Sequence, residues 1–438
     1  MSERSDAPVW AGLASRLSGV EALIPDAPPW RPSMAATSRG EVRLGPSLRR
    51  ATELRPRRSP LVLVIVLIAL LLSLITGALL AGRLPWEPSR DDEPFGPFGV
   101  LRQSDGDARA ALLTDGRAII VSGEWQGIGN ARGRADIWDP VAGFASIDAP
   151  TIARVNPTTT LLLDGRVLVI GGYGGQFAYP SSAIASAEVW DPGTSAFQQT
   201  GSMASARVGH TATLLPDGRV FVVGGAGPDG GVAEAELWDP RTNVFTPAGT
   251  LRNPRMGHAA ALLLDGRVLV AGGAEPSEGV GIMEVEVWDP IAQSFTAEIA
   301  LLDSPTSMSL TRLPSGSVLM AGAWISPGGY RGVSIRDPVG GPGRSLEMTR
   351  ARDGHTATLL ADGRVMVAGG RSPTGEVLDS VELWDPVGGL FHETTPLSQP
   401  AADHTAVLLA DGRVLIVLDG SGPDGLVEPF TYEPRPMP

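Results

Sequence analysis

The chain has 438 residues, no cysteine and a formal net charge of −13, and all 35 of its basic residues are arginine. Disulfides, thiolate metal sites, cysteine nucleophiles and lysine chemistry are thereby excluded. Abundant glycine (55) and proline (38) favour many turns over long helices.

The first segment, residues 1–60, reads as a mostly disordered Pro/Arg-rich tail, because Pro25, Pro28, Pro29, Pro32, Pro46 and Pro56 interrupt any long helix. One short helix is predicted behind an Asp6 cap, where Val9, Trp10, Leu13, Leu17, Val20 and Ile24 recur at helical spacing. Such a stripe suits a cytoplasmic partner or the inner membrane surface. Residues 61–82 follow as twenty-two positions without a charge, long enough as a helix to cross the roughly 30 Å hydrocarbon core. Arg49, Arg50, Arg55, Arg57 and Arg58 precede this run, whereas Arg83 and Arg90 on the far side are diluted by Glu87, Asp91, Asp92 and Glu93. Basic flanks stay inside. The expected localisation is therefore the cell membrane, single-pass, with a cytoplasmic N-terminus, a linker over 83–94 and an extracytoplasmic remainder.

From residue 95 to 438 one unit recurs. An apolar stretch runs into an Asp-Gly-Arg-type turn centred at Asp115, Asp164, Asp217, Asp265, Ser315, Asp362 and Asp411. A Trp-Asp-Pro-type tripeptide follows each, beginning at Trp138, Trp190, Trp238, Trp288, Arg336, Trp384 and Tyr432. A repeat near 50 residues built from short strands predicts a propeller, since one unit cannot bury its apolar face alone. In the third copy four strands are legible. TATLL reaches the Asp-Gly dipeptide, which predicts a primed two-residue hairpin with both residues at positive φ. VFVVGG is continuously apolar, as for a strand buried on both faces, and its glycines give room where backbones crowd. AELWDP alternates, and its Asp-Pro presets the next reversal. The last strand starts at an aromatic, Phe245, matched by Phe144, Phe197, Phe295 and Phe391. The seventh copy lacks a fourth strand, while the segment from Phe95 reads as a fourth strand without a blade, so the N-terminal segment should complete the last blade.

These tripeptides, with the double glycines Gly171-Gly172, Gly224-Gly225, Gly272-Gly273 and Gly369-Gly370, make residues 95–438 resemble a kelch-repeat β-propeller, related in plan to the central domain of galactose oxidase. The resemblance implies an all-β, seven-bladed ring of four-stranded blades closed by strands from both chain ends. The fifth copy departs from it, with Ser315-Gly316-Ser317, Ala321-Gly322-Ala323 and Arg336-Asp337-Pro338; a six-bladed ring with one copy outside is the alternative. Galactose oxidase and its relatives hold copper with Tyr and His and use a tyrosine cross-linked to cysteine, which a chain without cysteine cannot form. No cofactor and no metal site are expected.

Histidines 210, 258, 355 and 404 each stand seven residues before their turn Asp, or its equivalent. They belong to the repeat, and a hydrogen bond closing a loop is their expected role; Arg207, Arg255 and Arg352 read as scaffold of the same motif. No P-loop, nucleophile elbow or HExxH occurs. Recognition should sit in the loops between second and third strands, which vary most and carry the candidate ligand-binding aromatics Trp125, Tyr173, Phe177, Tyr179, Trp324 and Tyr330; the alternative is that these aromatics fold over their own loops. The balance beyond residue 94 is 23 Arg against 38 acidic residues, which disfavours nucleic acid or anionic lipid as a partner. The expected function is a membrane-anchored, non-enzymatic module binding a protein or a cell-envelope glycan. A cell-envelope hydrolase or lyase, and a sensor signalling through the tail, are the alternatives.

Overall fold

The computed structural model describes residues 95–97, 108–125, 131–174, 180–297, 307–323, 331–337, 343–418 and 430–432, all inside a compact unit that begins at Glu87. The expected tail over 1–60, transmembrane helix over 61–82 and linker over 83–94 lie outside these residues. Among the described residues no helix is long and apolar enough to cross a membrane.

Each repeat folds as a four-stranded antiparallel sheet, and seven such sheets occur among the described residues. In the third, Thr211–Leu214, Val220–Val223, Glu234–Asp239 and Val244–Thr250 pair in chain order. The second strand is buried at every position, as its unbroken β-branched and aromatic sequence demands. The first strands form a closed circuit. Arg109–Leu112 touches Thr158–Leu161, followed by Thr211–Leu214, Ala259–Leu262, Ser307–Arg312, Thr356–Leu359 and Thr405–Leu408, which returns to Arg109–Leu112. This is an all-β propeller, with the first strands around its axis. The last sheet is completed from the other end of the chain, Phe95–Pro97 pairing antiparallel with Phe430–Tyr432, as the sequence predicts.

The Asp-Gly turn differs from expectation. The Leu113 carbonyl accepts from Gly116 N–H, and Leu113 N–H donates to the Arg117 carbonyl; Gly116 alone takes a positive φ, 88°. The loop therefore has three residues, a turn followed by a left-handed glycine bulge, rather than a primed two-residue hairpin. Asp stays in ordinary φ space and its carboxylate braces the bulge: Asp115 Oδ1 accepts Arg117 N–H and Oδ2 accepts Arg117 Nε–H at 2.8 Å. That accounts for Asp-Gly-Arg as a unit, and Ser315 Oγ, accepting Ser317 N–H, keeps part of it in the degenerate copy. In the Trp-Asp-Pro corners, Asp239 Oδ1 accepts Arg241 N–H at 2.8 Å, and Asn243 closes the reversal at φ 57°.

The tryptophans join neighbouring blades. Trp190 packs with Ala111, Ile119 and Val121 of the preceding blade, Trp238 with Leu162, Leu168 and Ile170, and Trp288 stacks on Phe221 at 4.0 Å. Trp138 shares a core with Val414 and Ile416 of the last blade, so the same wedge seals the ring at its joint. Burial of such side chains is the main attractive term between blades.

Between wedge and link lies a buried ion pair. Arg154, Arg207, Arg255 and Arg352 are fully buried, and each meets a third-strand glutamate of its own blade: Glu188, Glu236, Glu286 and Glu382, at 2.5–2.6 Å. Each arginine also donates to the first glycine carbonyl of the Gly-Gly pair, as Arg207 does to Gly224 at 3.2 Å. The glutamate binds the incoming link: Glu188 accepts from Thr151 N–H at 2.7 Å and from the Thr151 hydroxyl. Burial pushes the Glu188 carboxyl up, but these bonds and the Arg154 charge outweigh it and hold the group below the usual range.

The four repeat histidines act between blades, not as closures of their own loops. Nε2 of His210, His258, His355 and His404 is bonded to a hydroxyl at the start of the preceding blade, Thr158, Thr211, Ser309 and Thr356, at 2.8–3.0 Å. The Gly-Gly pair makes room for the ring, since a Cβ on Gly171 would lie 2.6 Å from His210 Cε1.

Two expectations follow. Glu286→Gln strands the buried Arg255 charge and should cost about 3–5 kcal/mol of stability, whereas Asp265→Asn in an exposed turn should cost about 1 kcal/mol or less; denaturant midpoints compare them. Burial, chiefly, pulls His210, His258 and His355 down to about 3 and His404 to about 4. The unfolded chain, titrating near 6.5, binds more protons in this window, so stability falls as pH drops from about 6.5 towards 4, by about 1.4 kcal/mol per pH unit for each histidine. His258→Gln should flatten that slope by about one proton; an unchanged slope would refute the neutral buried ring.

Candidate ligand-binding face

Strand direction sorts the loops onto two faces. The first strand of each blade descends to the Asp-Gly turn, the second returns, the third descends to the Trp-Asp-Pro corner and the fourth returns. Gly-Gly loops and blade-to-blade links therefore share one face, the loop face, and the two kinds of reversal share the other, the turn face.

On the loop face the Gly-Gly pair is followed by a residue whose backbone is scaffold and whose side chain varies. Tyr173 exchanges both backbone bonds with Val155 at 2.8–2.9 Å. Ala226 does the same with Val208, Ala274 with Met256 and Arg371 with Asp353. Tyr173 is half-buried. Trp125 ends the long second strand of the first blade, Ala118–Trp125, opposite Ala131, so that hairpin runs beyond the point where other blades stop at Gly-Gly. Phe177, Tyr179, Trp324 and Tyr330 lie outside the described residues.

Polar residues missed by the sequence reasoning gather where the links meet the axis. In five blades the residue before the His position takes the left-handed conformation, and in three of them it is glycine: Gly209 at φ 68°, Gly257 at 66° and Gly354 at 63°. The other two keep the conformation without glycine, Asn156 at φ 51° and Asp403 at 56°. Asn and Asp tolerate that region better than other side chains, and each adds a polar group there that glycine lacks. These positions touch around the axis, Gly257 N–H donating to the Gly209 carbonyl and Asp403 N–H to that of Gly354. Asn156 Oδ1 accepts from Arg109 Nη2 at 2.6 Å, and Arg371 pairs with Asp403 at 3.5 Å, both exposed. Asp353 stands beside them, its carboxylate accepting Gly354 N–H at 2.7 Å. Blades six, seven, one and two are consecutive in the ring, so these polar groups collect on one side of the axis, while the third and fourth blades carry Gly209 and Gly257. The signal was available: aligning the repeats on histidine puts Asn156 and Asp403 in the column that holds Gly209, Gly257 and Gly354.

No protein-family model and no curated protein matches the chain. Among solved structures it is similar to a fungal alcohol oxidase of the AA5 family in complex with copper, at 21% identity and a TM-score of 0.62, over 77% of this chain and 75% of that one. It is also similar to the structure of YjhT, at 13% identity and a TM-score of 0.51, over 69% of this chain and all of that one.

The residues described here do not fit a copper site of the galactose oxidase kind. Nε2 of each repeat histidine is spent on a hydroxyl of the preceding blade, the four rings stand on separate blades, and the chain has no cysteine for a cross-linked tyrosine. Among the described residues no group of three or more His, Asp or Glu is placed to hold a metal ion. What is common to these proteins is architecture: the chain has the fold of the galactose oxidase-like β-propellers.

Proposed function

We propose that this chain is a membrane-anchored, extracytoplasmic, seven-bladed propeller that binds a cell-envelope glycan on its loop face. The observation that carries the reading is the polar cluster at the axis, where Asn156 and Asp403 occupy left-handed positions that the third, fourth and sixth blades fill with glycine. Carboxylate, amide and guanidinium groups match the hydroxyls of a sugar, and a neighbouring Tyr173 suits the apolar face of its ring. A protein ligand is the other occupant considered for the same face. The seven sheets support the blade count, and the uncharged run 61–82 with its arginine-rich N-terminal flank supports the anchor and its direction. The reading involves no cofactor and no nucleic acid.

One observation favours a second reading, a cell-envelope hydrolase or lyase: two carboxylates, Asp353 and Asp403, stand with Arg371 on the same face. Binding of the full chain in detergent to envelope glycans and envelope proteins separates the possibilities. Tyr173→Ala and Asp403→Asn should each weaken glycan binding about tenfold or more with little change in thermal midpoint. Undiminished binding by both variants would show that this face is not the site. Shortening of the bound glycan with time, abolished in Asp353→Asn, would favour the enzyme.

A further inference from the structure

The turn face is uniform in sequence, yet it carries most of the aliphatic surface left uncovered among the described residues. Val141, Ile291 and Val387, each two residues after the aspartate of a Trp-Asp-Pro corner, are 93–95% exposed, and Leu163 and Leu264 project from the Asp-Gly turns nearer the axis. These side chains belong to the first, second, fourth and sixth blades and so are spread round the ring. The corner tips satisfy their own backbone. Val141 and Ala142 N–H both donate to Asp139 Oδ1, Ile291 and Ala292 N–H to Asp289 Oδ1, and Val387 and Gly388 N–H to the two oxygens of Asp385. A tip that ends in an aliphatic group and leaves few amides to solvate can leave water cheaply. The inner ring of this face is also charge-paired, because six of the turns hold an Arg against an Asp at 2.6–2.7 Å.

The chain itself indicates what covers this surface. Phe95 lies opposite Tyr432, the register in which Phe245 lies opposite Trp238, so the polypeptide joins the propeller at the turn-face end of the last blade. Twelve residues, 83–94, separate that point from the uncharged run 61–82, a reach of about 40 Å at full extension. A tether so short and attached on this side keeps the turn face at high local concentration near the lipid.

We propose that the turn face rests on the outer leaflet of the membrane that anchors the chain, with Val141, Ile291 and Val387 seated among the headgroups and the loop face directed outward. The proposal rests on the membrane-anchor reading given above. Exposed aliphatic tips on an otherwise polar face are the usual means of such shallow seating, and the outward loop face is the one that must meet a large glycan.

The absence of cysteine makes single labels unambiguous. The full-length chain is reconstituted into phosphatidylcholine vesicles, whose zwitterionic headgroups do not repel the acidic domain, with a nitroxide on Ile291→Cys, on Val387→Cys, on Glu278→Cys at an exposed loop-face position, or on Leu70→Cys within the uncharged run. Relaxation by oxygen is compared with relaxation by a water-soluble nickel chelate. The two turn-face labels should show an oxygen-to-nickel ratio at least about threefold above that at the Glu278 site. Equal ratios at all three, with the Leu70 label in lipid, overturn the seating and leave the anchor standing. A Leu70 label freely met by nickel overturns both.

Discussion

The arrangement of this propeller depends on a charge pair kept out of water. In four blades an arginine from the incoming link reaches a third-strand glutamate, and both are removed from solvent. Isolated, either charge would be prohibitively costly to bury; together, with backbone carbonyls accepting from the guanidinium and link amides donating to the carboxylate, they tie the link, the Gly-Gly corner and the third strand to one point. The gain is positional more than energetic. Hydrophobic wedges between blades would tolerate some sliding, but a guanidinium with several fixed acceptors does not. Arginine suits this task better than lysine because its planar fork addresses a carboxylate and carbonyls at once. Where the arginine position is Ala401, the glutamate position is Phe430, so both partners are lost together.

Much of this architecture was legible because the repeat marks its own reversals. Asp-Gly-Arg and Trp-Asp-Pro located the turns and corners, and the unpaired Phe95 segment announced how the last blade is completed. The reading failed where physics acts across blades or links. Glu236 looked like the polar half of an alternating strand, because its partner Arg207 lies twenty-nine residues away. The histidines looked like local closures, because their hydroxyl partners lie in the preceding repeat. The turn type was misjudged since Asp-Gly suits a primed hairpin; the same glycine bulge forms at Ser315-Gly316-Ser317, with Gly316 at φ 91°, so the Asp–Arg pair braces the bulge without being required for it. The candidate site was less legible still. Aromatic loops attract notice by composition, whereas a glycine column broken by Asn156 and Asp403 becomes visible only when the copies are aligned.

Repetition and exception thus divide the labour. Positions that recur, the wedge tryptophans, paired arginines and neutral histidines, are absorbed by packing and leave little reactive capacity. Positions that depart from the repeat on the loop face stand where the backbone is already held, so a side chain can change there without altering the ring. Tyr173, Ala226, Ala274 and Arg371 show this most simply: one backbone geometry, three side-chain chemistries.

The pairing of Phe95–Pro97 with Phe430–Tyr432 also governs how the molecule is made. The strand Phe95–Pro97 leaves the ribosome more than three hundred residues before its partner, so the circle cannot shut until residue 432 has been made. Contacts of such separation are slow to form, and until then the growing arc presents an unpaired sheet edge to its surroundings. A chain cut short before residue 430 would keep nearly every other strand, yet it would remain an open arc with that edge permanently uncovered.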